Sequence, residues 1–133
     1  MTITKHLYYT PVCLVLVLFM SNTCFSQTTK ERLIKKWGFA GVEEFGVVRA
    51  PDSTAKNDLL EIKADGTYLF NKAQKSTVGN WTLNEKSGVL SLTDLKTKKT
   101  IAYTIKSIDE KEMVIEYQSP DLVRTKYHYK PKE

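Results

Sequence analysis

The sequence predicts an all-β domain: an eight-stranded antiparallel up-and-down barrel with a short N-terminal helix plugging one end. The first observation is the alternation of apolar and polar residues after position 37, typical of strands whose successive side chains point to opposite faces of a sheet. The second is that the polar breaks are short enough for hairpins and leave no room for crossover helices. The third is the strand count, because closing eight strands into a ring removes both exposed sheet edges. An open two-sheet sandwich is the alternative.

Residues 1–26 have the features of a secretory signal peptide. Lys5 and His6 form a positive start, residues 12–20 form an uninterrupted apolar run, and small or polar residues follow from Ser21. The apolar run is well short of the roughly 20 residues that span a bilayer, so we expect no membrane span. We expect cleavage after Ser26 and a protein that is periplasmic or secreted.

Cleavage at Cys24 is a second interpretation, in which this residue becomes the lipidated N-terminus of an outer-membrane lipoprotein. Residues 21–23 match a lipobox poorly, because Asn22 stands where a small or aliphatic residue is expected. Cleavage after Ser26 removes both cysteines of the chain, Cys13 and Cys24. The mature chain then has no disulfide, no thiolate metal site and no cysteine nucleophile.

Residues 27–133 form one domain on the usual relation between length and domain count. Losing Lys5 with the signal peptide leaves 19 basic residues against 15 acidic ones, a formal net charge of +4. The basic residues are spread along the chain, which is typical of a solvated surface. We expect no nucleic-acid partner, because the chain is exported and its aromatic residues point inward instead of forming a stacking platform. We expect a monomer.

The domain begins with a helix and a long strand. Thr28 or Thr29 is suited to cap a helix that runs through Lys36, with Glu31 placed in its first turn. Alternation with a period of two begins at Trp37 and predicts a first strand to about residue 48. Residues 49–57 contain a proline and several small polar residues, which predicts a loop. Seven more strands are predicted at residues 58–64, 67–72, 77–84, 88–94, 99–107, 111–118 and 122–130.

The order of these elements resembles that of a known family. The motifs are L-I-K-K-W-G-F at 33–39, K-A-D-G-T-Y-L-F at 63–70, G-N-W-T-L at 79–83 and Y-H-Y-K at 127–130. They resemble the short secreted lipocalin-like domains of Bacteroidota-type bacteria, over essentially the whole of residues 27–133. Larger lipocalins have glycine two positions before the tryptophan of their first strand, whereas this chain has Lys35. The resemblance therefore implies an architecture and a binding cup, but no ligand.

The apolar parity of each strand predicts the interior of the barrel, which includes five tyrosines. Such a barrel has room for its own side chains or for one small ligand. The tyrosine hydroxyls favour a polar or wet interior, because buried hydroxyls need partners. We expect either a filled core with a small cup or a ligand cavity at the end opposite the helix. Arg49 has two interpretations: it faces the carboxylate of an amphipathic ligand there, or it is an ordinary solvated loop arginine, which is the more common case. The candidate ligand-binding residues are Phe45, Arg49, Phe70, Trp81, Tyr103 and Tyr117.

Catalysis has little support in this sequence. His128 is the only histidine after the signal peptide, and its position between Tyr127 and Tyr129 predicts an outward, solvent-facing side chain. The pair Glu43 and Glu44 diverges on a strand and lacks the convergence of an acid and base couple. We therefore expect no enzyme, no metal site and no cofactor.

Two function classes follow. The first is a carrier that holds a small hydrophobic or amphipathic molecule in the barrel mouth. The second is an envelope structural or interaction module that binds a protein or an anionic glycan through its outer face. The basis for the second is a set of lysines predicted on outward positions: Lys63, Lys72, Lys106 and Lys126.

Overall fold

A computed structural model describes residues 28–133. The predicted signal peptide, Ser26 and Cys24 lie outside the described residues. The elements are one helix, α1 at Thr29–Leu33, and nine strands. The strands are β1 at Lys36–Glu44, β2 at Val47–Arg49, β3 at Leu59–Ile62, β4 at Thr67–Lys72, β5 at Lys75–Asn84, β6 at Val89–Asp94, β7 at Thr100–Ile108, β8 at Met113–Gln118 and β9 at Arg124–Pro131.

Eight of these strands form a closed antiparallel barrel, as the sequence predicts. Strands β3 to β9 pair in chain order, and β1 pairs with both β3 and β9. The ring closes through pairs such as Phe39 with Tyr129 and Val42 with Tyr127. Every barrel strand therefore has two neighbours, which leaves no open edge in the ring. Within residues 28–133, no helix has the length and apolar character needed to cross a membrane.

The predicted first strand is interrupted at Phe45 and Gly46. These two residues form a turn with positive φ values of 51° and 76°, and the chain folds back as β2. Glu44 pairs with Val47 across this turn, so the connection is a two-residue hairpin of the kind that needs a left-handed backbone at both positions. β2 is therefore an additional strand on β1, outside the eight-membered ring.

Helix α1 covers one end of the barrel. Its start is a capping box in which the backbone N–H of Glu31 donates to Thr28 Oγ1 and the backbone N–H of Thr28 donates to the Glu31 carboxylate. The helix ends at Leu33, three residues earlier than predicted, because the Trp37 indole N–H donates to the Leu33 carbonyl at 2.9 Å as the chain turns into β1. Leu33 is fully buried and seals this end, which we call the helix end.

The core lies between the helix end and the middle of the barrel. The inward parity predicted from the sequence is observed for all five predicted inward tyrosines, which belong to the core or pack against it. Complete burial of an aliphatic core side chain contributes about 1.5–3 kcal/mol. The core residues are Leu33, Trp37, Leu60, Ile62, Tyr68, Trp81, Leu90, Leu92, Tyr103, Met113, Ile115 and Tyr129.

Close strand packing beside the core depends on Gly79. A Cβ atom on this residue would meet the Thr93 carbonyl oxygen and would lie 2.9 Å from Cε1 of Tyr68. Gly79 pairs with Tyr68 on one side and Asp94 on the other, so it lies between β4 and β6. Glycine in a strand commonly marks such a close approach of backbones.

Candidate ligand-binding site at the barrel mouth

The barrel opens at the end opposite the helix, which we call the mouth. Strand direction alternates, so the turns β1–β2, β4–β5, β6–β7 and β8–β9 lie at the mouth, and the turns β3–β4, β5–β6 and β7–β8 lie at the helix end. A cavity of about 510 Å³ occupies the mouth. It is lined by Tyr68, Phe70, Lys72, Ala73, Lys75, Thr77, Leu92, Asp94, Thr97, Lys99, Ile101 and Tyr103.

The walls of this cavity come from inward positions of four consecutive strands, β4 to β7. Phe70 and Tyr103 form its aromatic surface, and Leu92 and Ile101 form its aliphatic surface. Apolar walls with a few polar groups are the usual composition of small-molecule sites, whose volumes are typically about 300–1,000 Å³. The mouth cavity therefore has the size and lining of a small-molecule site.

Below the cavity the barrel is filled by aromatic side chains. The ring centroids of Tyr103 and Tyr117 lie 6.0 Å apart, and those of Tyr103 and Tyr127 lie 6.3 Å apart at nearly a right angle. Only a small void of about 30 Å³ lies among Phe39, Tyr127, Tyr129 and their neighbours. Such a void has room for about one water molecule. The interior therefore has a filled core toward the helix end and an open cavity at the mouth.

Burial raises the pKa of the tyrosines beneath the cavity. It raises the pKa of Tyr103 to about 12 and raises the pKa of Tyr129 further, because the phenolate form is poorly solvated in an aromatic core. Burial also raises the pKa of Tyr68 in the cavity wall. These hydroxyls therefore remain neutral hydrogen-bond donors at neutral pH.

The rim of the cavity is positively charged. Lys72, Lys75 and Lys99 line it together with one carboxylate, Asp94. Among residues 28–133, no carboxylate oxygen lies within 4.0 Å of the ammonium nitrogen of these three lysines. The Lys72 nitrogen lies instead 5.5 Å from the centre of the Tyr127 ring, over the barrel interior.

Asp94 is held mainly by its own turn. Its carboxylate accepts the backbone N–H groups of Lys96 at 2.7 Å and Thr97 at 3.2 Å. These hydrogen bonds lower the pKa of Asp94, so the group stays ionised. The rim therefore carries three positive charges and one negative charge, and its net charge is positive.

The structure distributes the six predicted site residues over three places. Phe70 and Tyr103 line the mouth cavity, and Tyr117 packs behind Tyr103. Trp81 is interior, as predicted, but lies at the helix end, where its indole N–H donates to the Lys63 carbonyl at 2.8 Å. Arg49 is exposed on β2 and does not line the mouth cavity.

The prediction that Phe45 points inward is wrong. Its side chain is 88% exposed at the tip of the β1–β2 hairpin. The alternation continues through residue 45 in the sequence, but the left-handed turn at Phe45 and Gly46 ends the strand before it. Phe45 therefore belongs to the outer rim of the mouth.

The prediction that Lys72 points outward is also wrong. Lys72 shares the parity of Tyr68 and Phe70 in β4, and it lines the mouth cavity. That parity was the available signal for an inward lysine. Lys75 and Lys99 were missed as well, because each adjoins a turn where a charged residue is ordinarily solvated.

A groove at the helix end has a larger volume, about 760 Å³, but a different character. It is lined by the last four residues of β5, Trp81–Asn84, by residues of the β3–β4 and β5–β6 turns, and by Lys30. The Lys30 nitrogen lies 5.9 Å from the Trp81 ring centre. Polar side chains, among them Lys30, Glu85 and Lys86, line much of this groove, so the mouth cavity is the better candidate for an apolar ligand.

No protein-family model matches the chain, and no curated protein sequence matches it significantly. The candidate site therefore depends on the geometry of the barrel mouth. Within residues 28–133, no group of three or more histidine, cysteine or acidic side chains is placed to hold a metal ion.

Proposed function

We propose that this protein is a non-enzymatic, exported, lipocalin-like carrier that holds one small amphipathic molecule in its barrel mouth. The observation that carries the proposal is the 510 Å³ cavity with aromatic and aliphatic walls, open at one end of a closed barrel. A closed barrel supplies a fixed cup, and a preformed apolar cup binds a ligand without a large ordering cost. The resemblance to short secreted lipocalin-like domains implies a binding cup of this kind, but no ligand.

The rim favours a ligand with an acidic head. Lys72, Lys75 and Lys99 face Asp94 alone, so an anionic group at the mouth would gain favourable interactions while its apolar part contacts Phe70 and Tyr103. The ligand class that fits both features is an apolar acid of modest size. In this proposal the three lysines take the role that the sequence suggested for Arg49.

The alternative, binding of a protein or an anionic glycan through outward lysines, has less support. Lys72 faces the cavity, and the Lys126 nitrogen lies 3.8 Å from a carboxylate oxygen of Glu43. Two of the four lysines on which this alternative was based are therefore engaged elsewhere.

The test is binding of decanoic acid compared with decan-1-ol, which has the same chain length without the charge. Calorimetric titration is done on wild type, on Ile101→Trp and on Val78→Trp. Ile101 lines the cavity and is 45% exposed, so a larger side chain there narrows the cup without overfilling the core. Val78 is similarly exposed but lies on the outer face of β5, which makes it the matched control.

We expect decanoic acid to bind wild type and Val78→Trp alike, and to bind Ile101→Trp about tenfold or more weakly. Lys72→Met should lose most of the preference for the acid over the alcohol, whereas Lys106→Met should keep it. Equal binding by the two tryptophan variants would place the ligand elsewhere. Native mass spectrometry of protein isolated from its own host, showing a consistently empty chain, would argue against a carrier.

A further inference from the structure

The two ends of the barrel differ in their exposed apolar side chains. Among the described residues, no exposed large hydrophobic side chain lies in the helix-end turns at residues 65–66, 85–88 and 109–112. Three of the four mouth connections carry them. Phe45 is 88% exposed in the β1–β2 turn, Leu122 is 73% exposed in the β8–β9 turn, and Leu95 is 53% exposed in the β6–β7 turn. Val47, Val48 and Val123, next to these turns, add to the same surface.

The backbone of the mouth turns is unusual at two of these positions. Phe45 has a φ of 51° and Leu122 a φ of 63°, in the left-handed region that bulky side chains rarely occupy. The left-handed turn residues of the helix end are glycines, Gly66 and Gly88. Large apolar residues thus occupy costly backbone positions while remaining exposed. Neither folding nor packing gains from this arrangement, which points to a surface role.

The two ends also differ in charge. The mouth segments at residues 44–49, 72–75, 94–99 and 119–124 carry seven cations and three carboxylates, a net charge of +4. The helix-end turns at residues 63–67, 84–89 and 108–113 carry three cations and five carboxylates, a net charge of −2. Residues 28–36 and 130–133, which lie at the same end, add six cations and two carboxylates. The positively charged turns and the exposed apolar side chains therefore lie at the same end of the barrel.

We propose that the mouth end docks on an anionic lipid surface, with Phe45 and Leu122 entering the interface and the mouth lysines over the headgroups. Phe45, Leu122 and Val123 line one groove between the neighbouring β1–β2 and β8–β9 turns, and Leu95 projects from a separate mouth turn. Arg124 and Lys126 line the same groove together with Glu43 and Glu116. Apolar side chains flanked by cations are the combination that binds anionic lipid interfaces. The inference does not depend on the cavity's ligand, because neither Phe45 nor Leu122 lines the mouth cavity.

The experiment is vesicle co-sedimentation of the form of the protein that its host accumulates, with its N-terminus established by intact mass. The vesicles are phosphatidylcholine alone, or phosphatidylcholine with an equal amount of phosphatidylglycerol. We expect binding to the anionic vesicles only, with binding weakened by high salt because screening reduces the attraction of the lysines. Phe45→Asn with Leu122→Asn, which places a tolerated residue at both left-handed positions, should weaken binding about tenfold or more.

Two double substitutions compare the two ends at equal change in charge. Lys96→Gln with Lys98→Gln, at the mouth, should weaken binding about tenfold or more, whereas Lys86→Gln with Lys111→Gln, at the helix end, should leave it nearly unchanged. Phe45→Trp should show a blue shift of its emission on adding anionic vesicles, and Lys86→Trp should not.

Three outcomes would overturn the proposal. The first is an absence of binding to anionic vesicles. The second is equal binding by the mouth and helix-end variants. The third is a dimer of the vesicle-free protein, seen by analytical ultracentrifugation, that Phe45→Asn with Leu122→Asn dissociates, because the surface would then be an interface between two copies of this chain.

Discussion

The Nε2 atom of His128 lies 3.0 Å from a carboxylate oxygen of Glu43, across the seam where β9 meets β1 and closes the barrel. The Nδ1 atom of the same ring lies 2.8 Å from a carboxylate oxygen of Glu112, next to β8. An imidazole ring can donate to two carboxylates only when both of its nitrogens are protonated. The charged histidine therefore links three neighbouring strands on the outer face, where the sequence predicted a solvent-facing residue.

This link predicts a pH-dependent stability. Partial burial opposes charge on His128, but its hydrogen bonds to Glu112 and Glu43 raise the pKa above 6.5. Its contribution is therefore complete below pH 6.5 and is lost as the pH rises through the folded-state pKa. The hydrogen bond to His128 lowers the pKa of Glu43 below 4.5, so the carboxylate's contribution is lost only in acid. We expect the melting temperature to fall between pH 5.5 and pH 8, measured by circular dichroism.

His128→Gln is the control for this prediction, because His128 is the only histidine among residues 28–133. The variant should melt lower than wild type at pH 5.5 and should lose most of the decrease toward pH 8. A variant that keeps the wild-type pH profile would show that other groups cause it.

Substitution of Gly79 should be severe. The Cβ atom of Gly79→Ala would overlap the Thr93 carbonyl oxygen, so the paired strands β5 and β6 must move apart. We expect a loss of about 3 kcal/mol in the free energy of unfolding, measured with urea. Gly38→Ala is the matched control, because its nearest atoms would lie 3.6 Å away, at ordinary contact distance. The control should change stability by about 0.5 kcal/mol or less, and similar losses in both variants would contradict the steric explanation.

Phe45→Asn should stabilise the protein. Asparagine tolerates the left-handed backbone at position 45, and the substitution places Asn before Gly46, the sequence that two-residue hairpins favour most. We expect a gain of about 1 kcal/mol in the free energy of unfolding. Phe45→Ala separates the two contributions, since it removes the side chain and keeps an unfavourable backbone. If alanine stabilises as much as asparagine, the backbone of this turn is not strained.

Shortening the side chain of Leu33 should destabilise the helix end of the barrel. Leu33 is fully buried, so Leu33→Ala should reduce the free energy of unfolding by about 2–5 kcal/mol through lost contacts and a remaining cavity. Leu95→Ala removes the same atoms from an exposed turn and should change stability by about 0.5 kcal/mol or less. Equal effects in urea titrations would mean that α1 does not seal the core.

The local pattern of the sequence was sufficient for most of the fold. Alternation placed Tyr68, Tyr103 and Ile115 inside, and the short polar breaks placed the turns of strands β3 to β9. The alternation also continues through Phe45, although the chain turns there. The hairpin at this position contains neither a proline nor a pair of glycines, so its local sequence signal is weak. The ring closure, and the bulge between Phe39 and Gly41 that sets its register, depend on contacts distant in sequence.

The candidate site was only partly predictable from sequence. Phe70 and Tyr103 were found because their parity is clear, but the end of the barrel that a residue reaches depends on strand direction. Because β5 runs from the mouth to the helix end, Trp81, which is late in this strand, lies at the helix end. Lys72 was assigned outward on its charge although its parity is inward. The link from His128 to Glu43 and Glu112 joins residues up to 85 positions apart and has no local signal.

The pairing of β1 with β9 also has a consequence for how the chain folds. Trp37 pairs with Pro131, so the first and last strands must meet before the ring is complete. Contacts this distant in sequence form slowly, and until they form, the incomplete sheet keeps two unpaired edges that can associate with other chains. The tendency to aggregate during synthesis or refolding should therefore last until the final strand, β9, has paired. A chain truncated before Arg124 lacks this strand and should remain prone to aggregation.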